Sequence, residues 1–209
     1  MNQYRILCFG DSITYGAWDE AGGGWADMLR QKLHSEYLEG GIKAQVFNLG
    51  IGAETSDGLL KRIENEILAR AKSSWELAIL IAIGANDTRA KVDPQNYEGD
   101  PDSYRDNIEK IISIASKYTN KVLMIGLHAV NEKLTFKDFY FTNSRFETFD
   151  QINTDLCLKH NIPKVLLHKE LLKQSDFEEM YFDMVHPNHK GHKWIFEKIL
   201  PEVKRLIGE

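Results

Sequence analysis

The sequence predicts an α/β protein built on a parallel sheet, and three observations carry that expectation. Short aliphatic and β-branched runs alternate with longer stretches of helical period. One run, Leu77-Ala78-Ile79-Leu80-Ile81-Ala82-Ile83, is apolar at every position, as befits a strand covered on both faces, where neither side meets water. The residues able to do chemistry follow the ends of such runs, the edge on which an open parallel sheet forms its ligand crevice.

In chain order, residues 5–9 form the first predicted strand. Ala26, Leu29, Leu33 and Tyr37 recur at helical spacing, and Gly22-Gly23-Gly24 reads as a flexible link into a helix starting near Trp25. It follows a loop and lacks the Lys-Ser/Thr pair of a phosphate-binding loop. Residues 44–49 are the second strand, followed by a helical stripe of Leu60, Ile63 and Ile67. Residues 77–83 sit at the sheet centre, and Tyr104, Ile108, Ile111 and Ala115 face it from the next helix. Residues 121–127 and 164–167 complete five strands, separated by the stripe Phe149, Ile152 and Leu156 and followed by Ile195, Ile199, Val203 and Leu206. Two stretches, 88–101 and 128–143, fit neither period and are candidate functional loops.

Composition narrows the class further. The chain has 209 residues, with 26 Lys+Arg against 31 Asp+Glu and a formal charge of −5. That length suits one domain, residues 1–209, with a core that needs no disulfide or metal staple. At 43% hydrophobic and 27% charged, the composition argues against disorder and fibrous repeats. The acidic balance gives no reason to expect a nucleic acid or an anionic membrane as partner, and among small-molecule substrates it favours neutral or cationic ones over strongly anionic ones. Cys8 and Cys157 lie among apolar neighbours, as inert core thiols do. No secretory leader precedes the first strand and no run is long enough to insert in a membrane, so a soluble cytoplasmic protein is expected.

Four strand exits carry the chemistry: Gly10-Asp11-Ser12, Asn48-Leu49-Gly50, Gly84-Ala85-Asn86-Asp87 and, near the C-terminus, Asp183-Met184-Val185-His186-Pro187. A serine hydroxyl attacks a carbonyl only when a neighbouring base takes its proton. His186 can be that base for Ser12, and Asp183, three residues earlier, can hold the imidazole in one tautomer. Pro187 disfavours helical angles at His186, which puts the pair ahead of the last helix, and Asn188 is placed to cap it. The oxyanion of a tetrahedral intermediate needs donors fixed beforehand. The N–H groups of Ser12 and Gly50 and the side-chain amide of Asn86 supply three, and Gly50 has no side chain to crowd the oxygen.

Taken in order, Gly-Asp-Ser, Asn-x-Gly, Gly-x-Asn-Asp and Asp-x-x-His-Pro resemble the four blocks of the SGNH (GDSL) hydrolase superfamily, from Ile6 to about Leu200. The resemblance implies a three-layer α/β/α, flavodoxin-like sheet of about five parallel strands and an esterase or lipase activity. It also implies a Ser12–His186–Asp183 triad, an oxyanion hole of Ser12, Gly50 and Asn86, and no cofactor or metal. The expected partner is a small soluble ester; thioesters, lysophospholipids and acetylated sugars stay open, as does a homo-oligomer.

Each block also has a plainer reading. Gly-Asp-Ser alone is ordinary turn chemistry, and Asn86-Asp87 alone a common turn or cap. Asp11 reads as a brace for the Ser12 turn and Asp87 as a capping or supporting group. His186, His189 and His192 invite a metal site, but His189 and His192 fall on the first turns of the last helix, where polar residues are expected. His128 reads as a surface-loop residue. The aromatic run from Phe136 to Phe141 is a pocket wall, a lid or a dimer contact. A metal-dependent phosphoesterase and a non-catalytic ligand-binding protein on the same fold are the competing functions.

Overall fold

The computed structural model of the chain describes residues 3–209. Its elements in order are β1 (Gln3–Gly10), α1 (Ser12–Tyr15), α2 (Gly24–Leu38), β2 (Lys43–Gly50), α3 (Ser56–Arg70), β3 (Glu76–Ala82), β4 (Ala90–Lys91) and α4 (Pro101–Tyr118). These are followed by β5 (Val122–Ile125), β6 (Phe139–Tyr140), α5 (Asn143–His160), β7 (Lys164–Val165), α6 (His168–Leu172) and α7 (His189–Ile207). Five strands form a parallel sheet in the order β2-β1-β3-β5-β7. The order reverses between β1 and β3, so the crevice of such a sheet opens beyond the C-terminal ends of those two strands.

Helices α2 and α7 pack together on one side of the sheet, and α3, α4 and α5 pack in sequence on the other. The result is the three-layer α/β/α architecture expected. Ala78 to Ile81 of β3 are buried, flanked on both sides by paired strands, which accounts for the apolar run. The predicted stripes are the buried helix faces, with small phase errors. Leu59, Ile63 and Ile67 are the core positions of α3, and Ile207 goes fully under where Leu206 was expected; Leu60 and Leu206 pack at the margin. Tyr37 is exposed, so the core face of α2 ends at Leu33.

Two strands are shorter than read. β5 stops at Ile125 because the N–H of Leu127 turns to the Asp150 carboxylate, 2.9 Å away. β7 keeps two residues at the sheet edge, and Leu166 beyond it is exposed. The two stretches with no period belong together: β4 from one and β6 from the other pair antiparallel as a small ribbon. Two-residue strands leave no periodic trace. The triple glycine is no free link either. All three residues have positive φ, and the Asp19 carboxylate accepts the N–H of Gly24 at 2.9 Å, fixing the entry to α2. Among the described residues no helix is long and apolar enough to cross a membrane.

Candidate active site

Strand β1 ends at Gly10, and Asp11 caps the single-turn α1 by accepting the N–H of Ile13 at 2.9 Å. The cap places Ser12 at the first helical position, whose N–H has no acceptor within the helix. Asp11 thus has the bracing position the sequence suggested. Burial pushes its carboxyl up to about 7; the Ile13 N–H and His186 oppose that rise, while the Asp87 and Glu54 carboxylates add to it.

The Ser12 Oγ lies 3.0 Å from His186 Nε2. On the other side of the ring, His186 Nδ1 lies 2.8 Å and 3.0 Å from the two Asp183 oxygens. Asp183 also accepts the N–H groups of Val185 at 2.9 Å and His186 at 2.8 Å, so its carboxylate is seated by its own loop. Burial opposes the charged form of Asp183, but the His186 ring and these N–H groups outweigh it and hold the carboxyl below its ordinary range. The loop is pinned at its ends: Tyr181 bridges Pro187, and Phe182 donates its N–H to the His186 carbonyl at 2.9 Å. Helix α7 begins at His189 with Asn188 as its cap, accepting from Gly191, so the Asp183–His186 segment lies outside the helix.

The Asn86 amide Nδ2 donates to the Glu54 carbonyl at 3.0 Å, which orients it and leaves its second proton free. Gly50 lines the same cleft, but its N–H is donated to Asn48 Oδ1 at 3.1 Å. Glycine is required at 50 for a reason different from the one expected. A Cβ there would stand 2.1 Å from the Tyr15 nitrogen, so it is the backbone of α1, and not an incoming oxygen, that leaves no room. Arg62 carries no sequence signal of a role at the site. Its Nη2 donates to the Leu49 carbonyl at 2.7 Å, and the same guanidinium forms a salt bridge with the buried Glu54 carboxylate. One side chain therefore braces both the peptide before Gly50 and the segment that holds Asn86.

Ser12, Gly50, Asn86 and His186 open into one cleft of about 930 Å³. Phe136, Phe139 and Phe141 line it, so the aromatic run is a wall; the Phe136 ring meets the His186 ring edge-on at 5.1 Å. Arg89 and Lys137 line it too, and among the described residues no carboxylate does. The acidic net charge therefore does not extend to this surface, which overturns the basis for favouring cationic esters.

The surface-loop reading of His128 is corrected, and two further histidines lie in the interior. His192 is fully buried on α7, and His128 and His168 are buried as well. Burial pushes His128 and His192 down to about 4, so both are neutral near pH 7. His128 lines a cavity of about 30 Å³ beneath the cleft, shared with Asp11. His189 pairs with Asp19 at 3.0 Å. Among the described residues no three His, Cys, Asp or Glu side chains are grouped to hold a metal. Asp87 accepts the N–H of Ser56 at 3.0 Å and its hydroxyl at 2.6 Å, bracing the start of α3 as a supporting group; burial pushes it up to about 6 against those bonds.

The three-layer fold, the three blocks at the ends of β1, β2 and β3, and the fourth block, which lies in the loop leading into α7 and not at the strand exit expected, define a hydrolase of the SGNH superfamily. A model of the GDSL-like lipase/acylhydrolase family matches residues 8–194, and the chain belongs to that family. Among solved structures, a lipase/acylhydrolase from Enterococcus faecalis is similar at 24% identity and TM-score 0.77, over 97% of this chain and 96% of that one. A lipolytic protein of the G-D-S-L family from Veillonella parvula gives 22% and 0.73, over 95% and 97%. A catalytic mutant of Axe2, an acetylxylan esterase from Geobacillus stearothermophilus, gives 21% and 0.73, over 97% and 95%. At these identities the likeness is one of fold. A search of curated proteins gives no match.

Proposed function

We infer that the protein is a serine esterase that hydrolyses small soluble carboxylic esters through an acyl-enzyme. The observation that carries this reading is the unbroken chain from Ser12 Oγ through the His186 ring to the Asp183 carboxylate, at 3.0 and 2.8 Å, opening into an apolar cleft. Ser12 Oγ attacks the ester carbon as its proton passes to His186 Nε2, and Asp183 stabilises the imidazolium without taking the proton. The oxyanion is received by the N–H of Ser12, the free proton of the Asn86 amide and the N–H of Gly50, the last shared with Asn48 Oδ1. Collapse breaks the bond to the leaving oxygen, which takes the proton from His186. Water then attacks the acyl carbon by the same route, releasing the acid and restoring Ser12.

The test is covalent and kinetic. A fluorophosphonate should label the wild type at Ser12, and Ser12→Ala should remain folded, escape labelling and lose turnover of 4-nitrophenyl acetate by several orders of magnitude. Undiminished hydrolysis by Ser12→Ala would overturn the reading. Full activity after exhaustive chelation with EDTA is expected; loss of activity restored by a divalent cation would favour a metal-dependent phosphoesterase instead.

A further inference from the structure

Beside the His186 ring stands an aromatic residue to which neither the turn chemistry nor the core assigns a role. Trp18 is 56% exposed and has a φ of +64°. For a bulky side chain that left-handed backbone is an outlier, kept only where its surroundings impose it. Here they do. Ala17 donates its N–H to the Ser12 carbonyl at 2.9 Å, and Gly16 caps α1. After Trp18, the Asp19 carboxylate accepts the N–H groups of Ala21 at 3.0 Å and Gly24 at 2.9 Å and contacts His189 Nδ1 at 3.0 Å. The turn is thus tied to the nucleophile on one side and to α2 and α7 on the other, and its product is an indole held in the cleft mouth.

The indole stacks on Phe182 at 5.7 Å and 27°, and meets the His186 ring edge-on at 6.3 Å and 89°. Phe182 immediately precedes Asp183 and is itself 61% exposed. A large exposed aromatic pair against the base is costly to leave in water without a ligand. Its position also says which part of an ester it meets. The leaving oxygen must lie within reach of His186 Nε2 to be protonated, whereas the carbonyl oxygen points to Asn86 and Gly50. The alcohol portion therefore emerges on the His186 side, between Trp18 and Phe136.

We propose that Trp18, backed by Phe182 and faced by Phe136, is the leaving-group subsite and selects esters whose alcohol carries a ring with a flat apolar face, aromatic or pyranose. This rests on the esterase reading above and goes further by naming the substrate class. Ring stacking of this kind raises affinity by roughly 3- to 10-fold, without altering the acyl half of the reaction.

The experiment compares wild type, Trp18→Ala and Trp18→Phe on benzyl acetate, heptyl acetate and an acetylated methyl xylopyranoside. All three give the same acetyl-enzyme, so deacylation serves as an internal control. Trp18→Ala should lower kcat/KM for benzyl acetate about 3- to 10-fold through KM, leave heptyl acetate within about 2-fold and leave deacylation unchanged; Trp18→Phe should keep most of the preference. A loss confined to the xylopyranoside would identify a pyranose as the ring, and a loss confined to the benzyl ester an aryl alcohol. Equal losses on benzyl and heptyl acetates, or a changed deacylation rate, would overturn the proposal, because a residue that merely supports His186 acts on every ester. Binding is read separately by calorimetry in the Ser12→Ala background. If adding Trp18→Ala weakens benzyl acetate or the acetylated xylopyranoside and spares heptyl acetate, the subsite stands even where the esterase reading fails; if it weakens neither ring ester, or weakens heptyl acetate as much, the subsite falls.

Discussion

Arg62 donates to the backbone oxygen of Leu49 at 2.7 Å, and in a trans peptide that fixes the opposite direction for the N–H of Gly50. The same guanidinium neutralises Glu54, whose carbonyl orients the Asn86 amide. Arg62→Met should therefore do two separable things. It leaves Glu54 buried without a partner, costing about 3–5 kcal/mol of stability, and it loosens the two groups proposed as oxyanion donors, Gly50 and Asn86, lowering kcat by about 10-fold or more with little change in KM. The double variant Arg62→Met/Glu54→Gln removes the stranded charge. It should recover most of the stability by urea unfolding while kcat stays low; recovery of both would reduce Arg62 to a structural ion pair.

Asn86 gives a sharper kinetic prediction. Its amide touches the protein through one proton only, to the Glu54 carbonyl at 3.0 Å. Asn86→Ala should lower kcat by about 100- to 1000-fold with a small effect on KM, the mark of a donor used in the transition state and not in ground-state binding. A fall in kcat of less than about 5-fold would remove Asn86 from the oxyanion hole.

Much of the fold is legible in the sequence. The β3 run from Leu77 to Ile81 is apolar because paired strands flank it and helices cover both faces, and Pro187 keeps His186 off α7; both are local effects that leave a pattern. What the sequence hid depends on long-range contact. Arg62 sits 13 positions from Leu49 and 8 from Glu54, and looks like any helix-surface cation. His192 occupies a first-turn position where polarity is normal, yet α7 turns that position under Gly24. The β4–β6 ribbon joins residues about 50 apart through two-residue strands, and nothing so short has a period.

In the proposed mechanism the Asp183 carboxylate acts on Ser12 only through the His186 ring between them. Asp183→Asn can still accept the two loop N–H groups that hold the segment, but an amide donating to His186 Nδ1 would favour the wrong tautomer. Folding should be kept, and kcat should fall by roughly 10⁴-fold. Steady-state assay with 4-nitrophenyl acetate measures the loss, and retained near-UV circular dichroism checks the fold. A loss no greater than 10-fold would show that His186 does not need this partner.

The buried titrating groups pull stability in opposite directions with pH. Asp11, pushed up to about 7 by burial, holds a proton in the folded state that the unfolded chain has released above its ordinary value of 3.8. Its contribution is therefore present below that value and lost as pH rises through about 7. Asp87, up to about 6, has the same sign over a narrower window. His128 and His192, down to about 4 from 6.5, have the reverse sign: the unfolded chain binds their protons first, so stability falls as pH drops from 6.5 towards 4. Between about 4 and 6 the two pairs offset each other, and above 6.5 the Asp11 effect is left uncompensated. Asp11→Asn keeps an oxygen for the Ile13 N–H and removes the titration. Urea unfolding at pH 4.5, 5.5, 6.5 and 7.5 should show the variant gaining on the wild type with a slope of up to about 1.4 kcal/mol per pH unit, flattening above 7. A difference that stays constant over this range would mean that Asp11 is ionised in the folded state throughout, and that the space it shares with His128 is better solvated than its burial implies.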